Sequence, residues 1–225
     1  MAAHPQLVAV PEGLQGVATD YSADKQAFSV PWGKAMLWIF LLSDTFIFSC
    51  FLVSYMHVRI STTVPWPHPS EVFALDIGGK PVPLLLIAIM TMVLITSSGT
   101  MAMAVNFGYR KNRANTTALM LITAAFGAVF VGMQAFEWTK LIIEGVRPWS
   151  NPMGAAQFGS SFFMITGFHG LHVSAGVIYL TVVARRVWDG FYDRKGTYET
   201  VEIAGLYWHF VDLVWVFIFA LFYLW

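Results

Sequence analysis

Charge is what this sequence has least of. Only 12% of its 225 residues are Asp, Glu, Lys or Arg, while 57% are hydrophobic and 16% aromatic. An ordinary soluble domain is about 25% charged. Mean hydropathy is +0.62. A water-soluble fold of this size cannot hide so much apolar surface, so the composition points to an integral membrane protein. The formal net charge is zero and there is no basic tail, which argues against nucleic acid as a partner. Cys50 is the single cysteine. That excludes an intrachain disulfide and a Cys-based zinc or iron–sulfur site within this chain. Histidine is scarce as well: there are six, and His4, His57 and His68 lie outside the apolar segments. The clustered histidine boxes of a membrane di-iron centre cannot be assembled from these. Internal repeats, low-complexity tracts and the broken helices of a transporter are also missing. The first thirty-odd residues lack a basic stretch followed by a short apolar core, so they do not resemble a cleaved signal. Residues 1–33 read as a mobile, non-membrane arm.

What remains is dominated by long apolar runs. A crossing helix needs about 20 mostly apolar residues. Five segments meet this, at about 36–55, 82–105, 116–138, 158–183 and 203–225. The basic residues orient them by the positive-inside tendency. The arm and the second and fourth loops carry nine: Lys25, Lys34, Arg110, Lys111, Arg113, Arg185, Arg186, Arg194 and Lys195. The other two loops carry four: Arg59, Lys80, Lys140 and Arg147. The N-terminus is therefore expected in the cytoplasm and the C-terminus outside. The first outer loop, "STTVPWPHPSEVFALDIGGKPVP", is rich in proline and tryptophan, which suits a rigid interfacial segment.

Polar residues at membrane depth are the candidate functional residues, because each is costly there without a partner. Asp44 lies eight residues into the first predicted span, about 12 Å deep at 1.5 Å per residue. It bonds to a neighbouring helix, handles a proton or contacts lipid. Gln134 and Glu137 share a face near the outer end of the third span. His169 and His172, in "GFHGLHVSAG", share a face of the fourth. They are either interhelical hydrogen-bonding groups, with Gly167, Gly170, Ser174 and Gly176 allowing close approach, or metal ligands. Sitting on one helix, they cannot both bind one haem iron from opposite faces. Glu202, His209 and Asp212 belong to the last segment. Glu137 and Glu202 are candidates for helix contacts or lipid headgroups, and Asp212 for pairing with His209 or with another helix. The aromatic run through Trp215, Phe217, Phe219 and Phe222 is read as packing or lipid-facing.

Five segments carry a family resemblance. They are "LLSDTFIFSCFLVSY", "VPWPHPSEV", "GMQAFEW", "FFMITGFHGLHVSAG" and "GLYWHFVDLVWVFIF". From about Lys34 to Trp225 the chain resembles subunit III of the haem–copper oxidases, in its five-helix bacterial form. The resemblance implies an all-α integral membrane protein with five transmembrane helices in two bundles, separated by a V-shaped cleft that holds phospholipid. It implies a non-catalytic subunit of a terminal respiratory oxidase in a bacterial inner membrane. Such a complex reduces dioxygen to water and pumps protons, taking electrons from cytochrome c or quinol. Haems and copper would sit in subunits I and II, with no redox centre and no metal in this chain. Subunit I would be the direct partner, with subunit II and a small subunit IV as further ones. Asp44 matches the family's buried carboxyl, with a role in proton uptake. Gln134, Glu137, His169, His172, Glu202, Tyr207, Trp208, His209 and Asp212 would form an interhelical polar network. Arg59, Arg185 and Arg186 are candidates for lipid phosphate, which guanidinium binds in a bidentate fashion. The alternatives are a related subunit of a nitric oxide reductase system and a stand-alone haem or metal membrane protein using His169, His172 and His209.

Overall fold

The computed structural model describes residues 31–77 and 80–224. Most of the N-terminal arm expected over residues 1–33 lies outside them. Five helices are long and apolar enough to cross a membrane. They are α1 (Trp32–Ser61), α3 (Leu85–Tyr109), α4 (Arg113–Ile143), α5 (Ala156–Trp188) and α7 (Glu199–Phe219), the last extended by a π-helical turn, Ala220–Leu224. Between them lie a short helix α2 (Pro69–Val72), an antiparallel hairpin of β1 (Leu75–Ile77) and β2 (Lys80–Val82), and a short helix α6 (Phe191–Lys195). Among the described residues the fold is all-helical apart from that hairpin.

Most of the helices run past the apolar segments that announce them. Backbone hydrogen bonding continues into the headgroup zone, where polar side chains are welcome. Local chemistry then stops them. At the end of α3 the N–H of Asn112 reaches the carbonyl of Phe107 and that of Lys111 reaches Gly108. This is the paired closure of a helix whose terminal residue is left-handed, and Lys111 has φ of 56°. Asn112 then opens α4 by accepting from the Asn115 N–H at 3.2 Å. The same closure ends α4, with Gly145 at φ of 91°.

The helices α3, α4, α5 and α7 close on one core: α3 packs on α4 and α7, and α5 on the same two. The α7 segment supplies the seam. Val201, Trp208, Trp215 and Phe222 recur every seven residues, as do Ala204, Val211 and Ile218, and all are buried. That spacing keeps one face turned to the bundle. Lipid tails are as apolar as the core, so close packing and interhelical hydrogen bonds must hold the helices together. Trp208 slots between Gly127 on α4 and Gly176 on α5, and its Nε1 donates to Ser97 Oγ at 3.0 Å. One heptad on, Trp215 Nε1 donates to Thr91 Oγ1 at 3.1 Å.

Helix α1 lies outside this core, against α5 and α7. Two bundles parted by a V-shaped cleft are not seen among the described residues. Instead, apolar grooves flank α1: one of about 500 Å³ against α7, and one of about 620 Å³ against α5. The loop after α1 does more than lie at an interface. Trp66 packs edge-on against Tyr55 and Phe158, Phe73 packs on Phe162 and Tyr223, and the Pro65 carbonyl accepts the Ala155 N–H. It folds over one end of the bundle, hereafter the loop end. The opposite end, with Trp32 and Arg113, is the Arg113 end.

Candidate functional site

The polar side chains at membrane depth fall into separate clusters. Nearest the Arg113 end, Lys34 Nζ lies 2.7 Å from Glu202 Oε2, tying the first turn of α1 to α7. Glu202 is thus engaged in a helix contact. Just beyond, Arg113 Nε and Nη2 donate to Asp193 Oδ2 at 2.9 and 2.5 Å, and Tyr198 OH donates to Asp193 Oδ1 at 2.5 Å. Gly190 lies against the Arg113 guanidinium. Burial, then the bond to Asp193, pushes the Tyr198 phenol up to about 12. The Tyr198 hydroxyl, then Arg113, holds the Asp193 carboxyl below its ordinary range.

The second cluster pairs two candidates from different helices. Asp44 is buried on α1, twelve residues past Trp32, or about 18 Å along the helix. That is deeper than the shorter predicted span suggested. Its Oδ2 lies 3.2 Å from His172 Nε2 on α5. The contact is within ion-pair range but short of an aligned hydrogen bond, since Asp44 Oδ2 has no hydrogen-bond partner. His172 Nδ1 lies 2.8 Å from the Phe168 carbonyl. A carbonyl only accepts, so Nδ1 carries the proton of that bond. Tyr207 OH on α7 donates to the His172 carbonyl at 2.9 Å, completing a contact of three helices.

His169 behaves otherwise. It is buried, and neither ring nitrogen has a hydrogen-bond partner among the described residues. Its ring stacks on Trp215, with centroids 5.5 Å apart, and meets Phe130 edge-on. The interhelical hydrogen bond expected of His169 is therefore replaced by aromatic packing. His209 is elsewhere, its Nδ1 2.6 Å from Ser98 Oγ on α3, with Asp212 beside the same serine. The three histidines do not converge. Among the described residues no three His, Cys, Asp or Glu side chains gather as metal ligands.

The last cluster lies toward the loop end. Glu137 Oε2 accepts from Gln134 Nε2 at 2.8 Å and from Tyr223 OH at 3.1 Å. Glu137 is thus held by helix contacts, not by headgroups. The arginines sit at opposite ends: Arg59 near the α1 terminus at the loop end, beside Tyr55, and Arg185 and Arg186 in the last turn of α5. They do not share one phosphate site. Trp208, expected in the interhelical polar network, is buried in the core and donates from Nε1 to Ser97 Oγ on α3. Ser98, Tyr223 and Lys34 were missed. Their partners stand 111, 86 and 168 residues away along the chain, and no local spacing signals such pairs.

Residues 19–225 match the family described as cytochrome c oxidase subunit III. Cytochrome c oxidase subunit 3 of Alkalihalophilus pseudofirmus is 34% identical over 194 residues, covering 83% of this chain and 84% of that one. Cytochrome bo(3) ubiquinol oxidase subunit 3 of Pseudomonas aeruginosa is 31% identical over 188 residues, covering 83% and 82%. Cytochrome c oxidase subunit 3 of Branchiostoma lanceolatum is 34% identical over 196 residues, covering 83% of this chain and 67% of that longer one. With five helices long and apolar enough to cross a membrane and a family match over residues 19–225, this multi-pass membrane chain belongs to the subunit III family of the haem–copper oxidases.

Proposed function

We propose that the chain is a non-catalytic subunit that packs on subunit I of a proton-pumping terminal oxidase, stabilises its dioxygen-reducing site through turnover and supports proton uptake. The haems and copper then belong to partner subunits, and phospholipid occupies the grooves beside α1. The basic residues favour an inner-membrane chain with the Arg113 end in the cytoplasm.

The observation that carries the proton role is the Asp44–His172 pair. His172 Nδ1 spends its proton on Phe168. In neutral imidazole Nε2 is then a bare lone pair, 3.2 Å from a carboxylate oxygen. Both atoms are polar and face each other in a low-dielectric interior, where each is costly to bury alone. A buried carboxyl facing an imidazole where α1, α5 and α7 meet suits a group that takes part in proton transfer beside a partner subunit. Asp44→Ala is the test. Assembly persists, while proton uptake changes or the enzyme's working life shortens. Unchanged turnover, pumping and inactivation rate in the assembled variant would remove the role.

A further inference from the structure

Beneath the loop that folds over the bundle lies a small space of about 10 Å³, lined by Val72, Phe73, Leu86, Glu137, Lys140 and Leu141. Four walls are apolar and two are ionisable. Glu137 is 3% exposed. Its Oε2 is engaged by Gln134 and Tyr223, but its Oε1 has no partner among the described residues. Lys140, one turn along α4, donates to the Ala74 carbonyl and lies 3.4 Å from Glu144 at the helix end. An ammonium has three donors, so one is left over. Among the described residues, Tyr223 and Lys140 are the ionisable groups that act on Glu137.

The chemistry of the walls selects the occupant. A buried carboxyl oxygen without a partner costs about 1–3 kcal/mol. A metal cation is disfavoured by the ammonium and an anion by the carboxyl. A neutral molecule that both donates and accepts satisfies the two together. A space of roughly 10–15 Å³ holds one water, which needs two to four polar partners.

We propose that this space is a site for a single water molecule bridging Glu137 Oε1 and Lys140 Nζ, through which the buried carboxyl exchanges protons with solvent at the loop end. The bonded chain then runs from Tyr223 through Glu137 and the water to Lys140, which is 23% exposed. Tyr223 anchors the π-helical turn that follows α7, so the proton on Glu137 reaches the last turn of the described chain. This path is separate from the Asp44–His172 pair and does not depend on its role.

The test uses the assembled complex. The infrared absorption of the Glu137 carboxyl, identified by its loss in Glu137→Gln, is followed after a pH jump. The expected result is a response in the unaltered protein that is lost in Leu86→Phe, which fills the space and leaves both ionisable groups in place. A response persisting at the unaltered rate in Leu86→Phe, or no response in the unaltered protein, overturns the proposal. A density map settles the case should that variant fail to assemble. One peak within hydrogen-bonding distance of Glu137 and Lys140 supports the site, and two ordered side chains with no peak between them overturn it.

Discussion

Gly127→Ala tests the packing logic of the bundle most sharply. A Cβ at Gly127 would stand 2.4 Å from the Trp208 ring and 2.7 Å from Val177 Cγ2. Trp208 cannot retreat, because Gly176 lies behind it and Ser97 holds its Nε1. Gly132, on the same helix, provides the control: a Cβ there meets nothing within 4 Å. Replacing glycine by alanine inside a helix gains about 1 kcal/mol at either position. Overpacking a core costs about 1–3 kcal/mol, and only Gly127 incurs it. The helix contribution cancels in the comparison, so the two variants should differ by about 1–3 kcal/mol, Gly127→Ala being the weaker. Reversible unfolding of the full chain in mixed detergent micelles, titrated with a denaturing detergent, measures this difference directly. Equal midpoints for the two alanine variants would refute the close approach of α4 to α7.

Three further outcomes follow from other sites. Gly145→Ala places a side chain at φ of 91° and should destabilise by about 1–2 kcal/mol in the same assay; no change would mean that the turn ending α4 relaxes freely. Tyr198→Phe should remove a phenol that titrates at about 12, read from near-ultraviolet phenolate absorption; loss of a phenol with an ordinary midpoint would contradict the Asp193 clamp. The signs of that clamp are opposite. The raised phenol favours the folded state below the ordinary phenol range and loses this as pH rises through about 12. The lowered Asp193 carboxyl favours it above the ordinary carboxylate range and loses this only as pH falls through the still lower folded value. The clamp should therefore persist from about pH 5 to about pH 10, and Arg113→Met should weaken it across that window, leaving only the Tyr198–Asp193 bond, as seen in faster proteolysis of the α6 loop.

The five helices were legible in the sequence because lipid demands uninterrupted apolar runs. Their ends were less so: α4 begins at the Asn112 cap and α1 runs on to Ser61, both beyond where hydropathy falls. The rotation of each helix about its axis was harder still. In water the apolar face is the buried face. In lipid both faces are apolar, and residue size marks the interior instead. The seven-residue recurrence of Trp208, Trp215 and Phe222 was present in the letters, yet an aromatic run was all that polarity could distinguish. Asp44 and His172 each stood out as costly residues, but their pairing needed the facing of α1 on α5. Glu137 was visible too. Its bond to Tyr223 was not, because the π-helical turn that brings the tyrosine round has no sequence period of its own.

The central claim is that this chain works inside an oxidase and carries no redox centre. The most direct measurement is a mild-detergent purification through a tag on this chain, with mass spectrometry and an optical spectrum taken on the same sample. Co-purification with a large many-helix chain and a copper-domain chain is expected, with reduced-haem bands that are absent from this chain once it is separated from them. The chain emerging alone with a haem spectrum of its own, lost in His169→Ala, would contradict it.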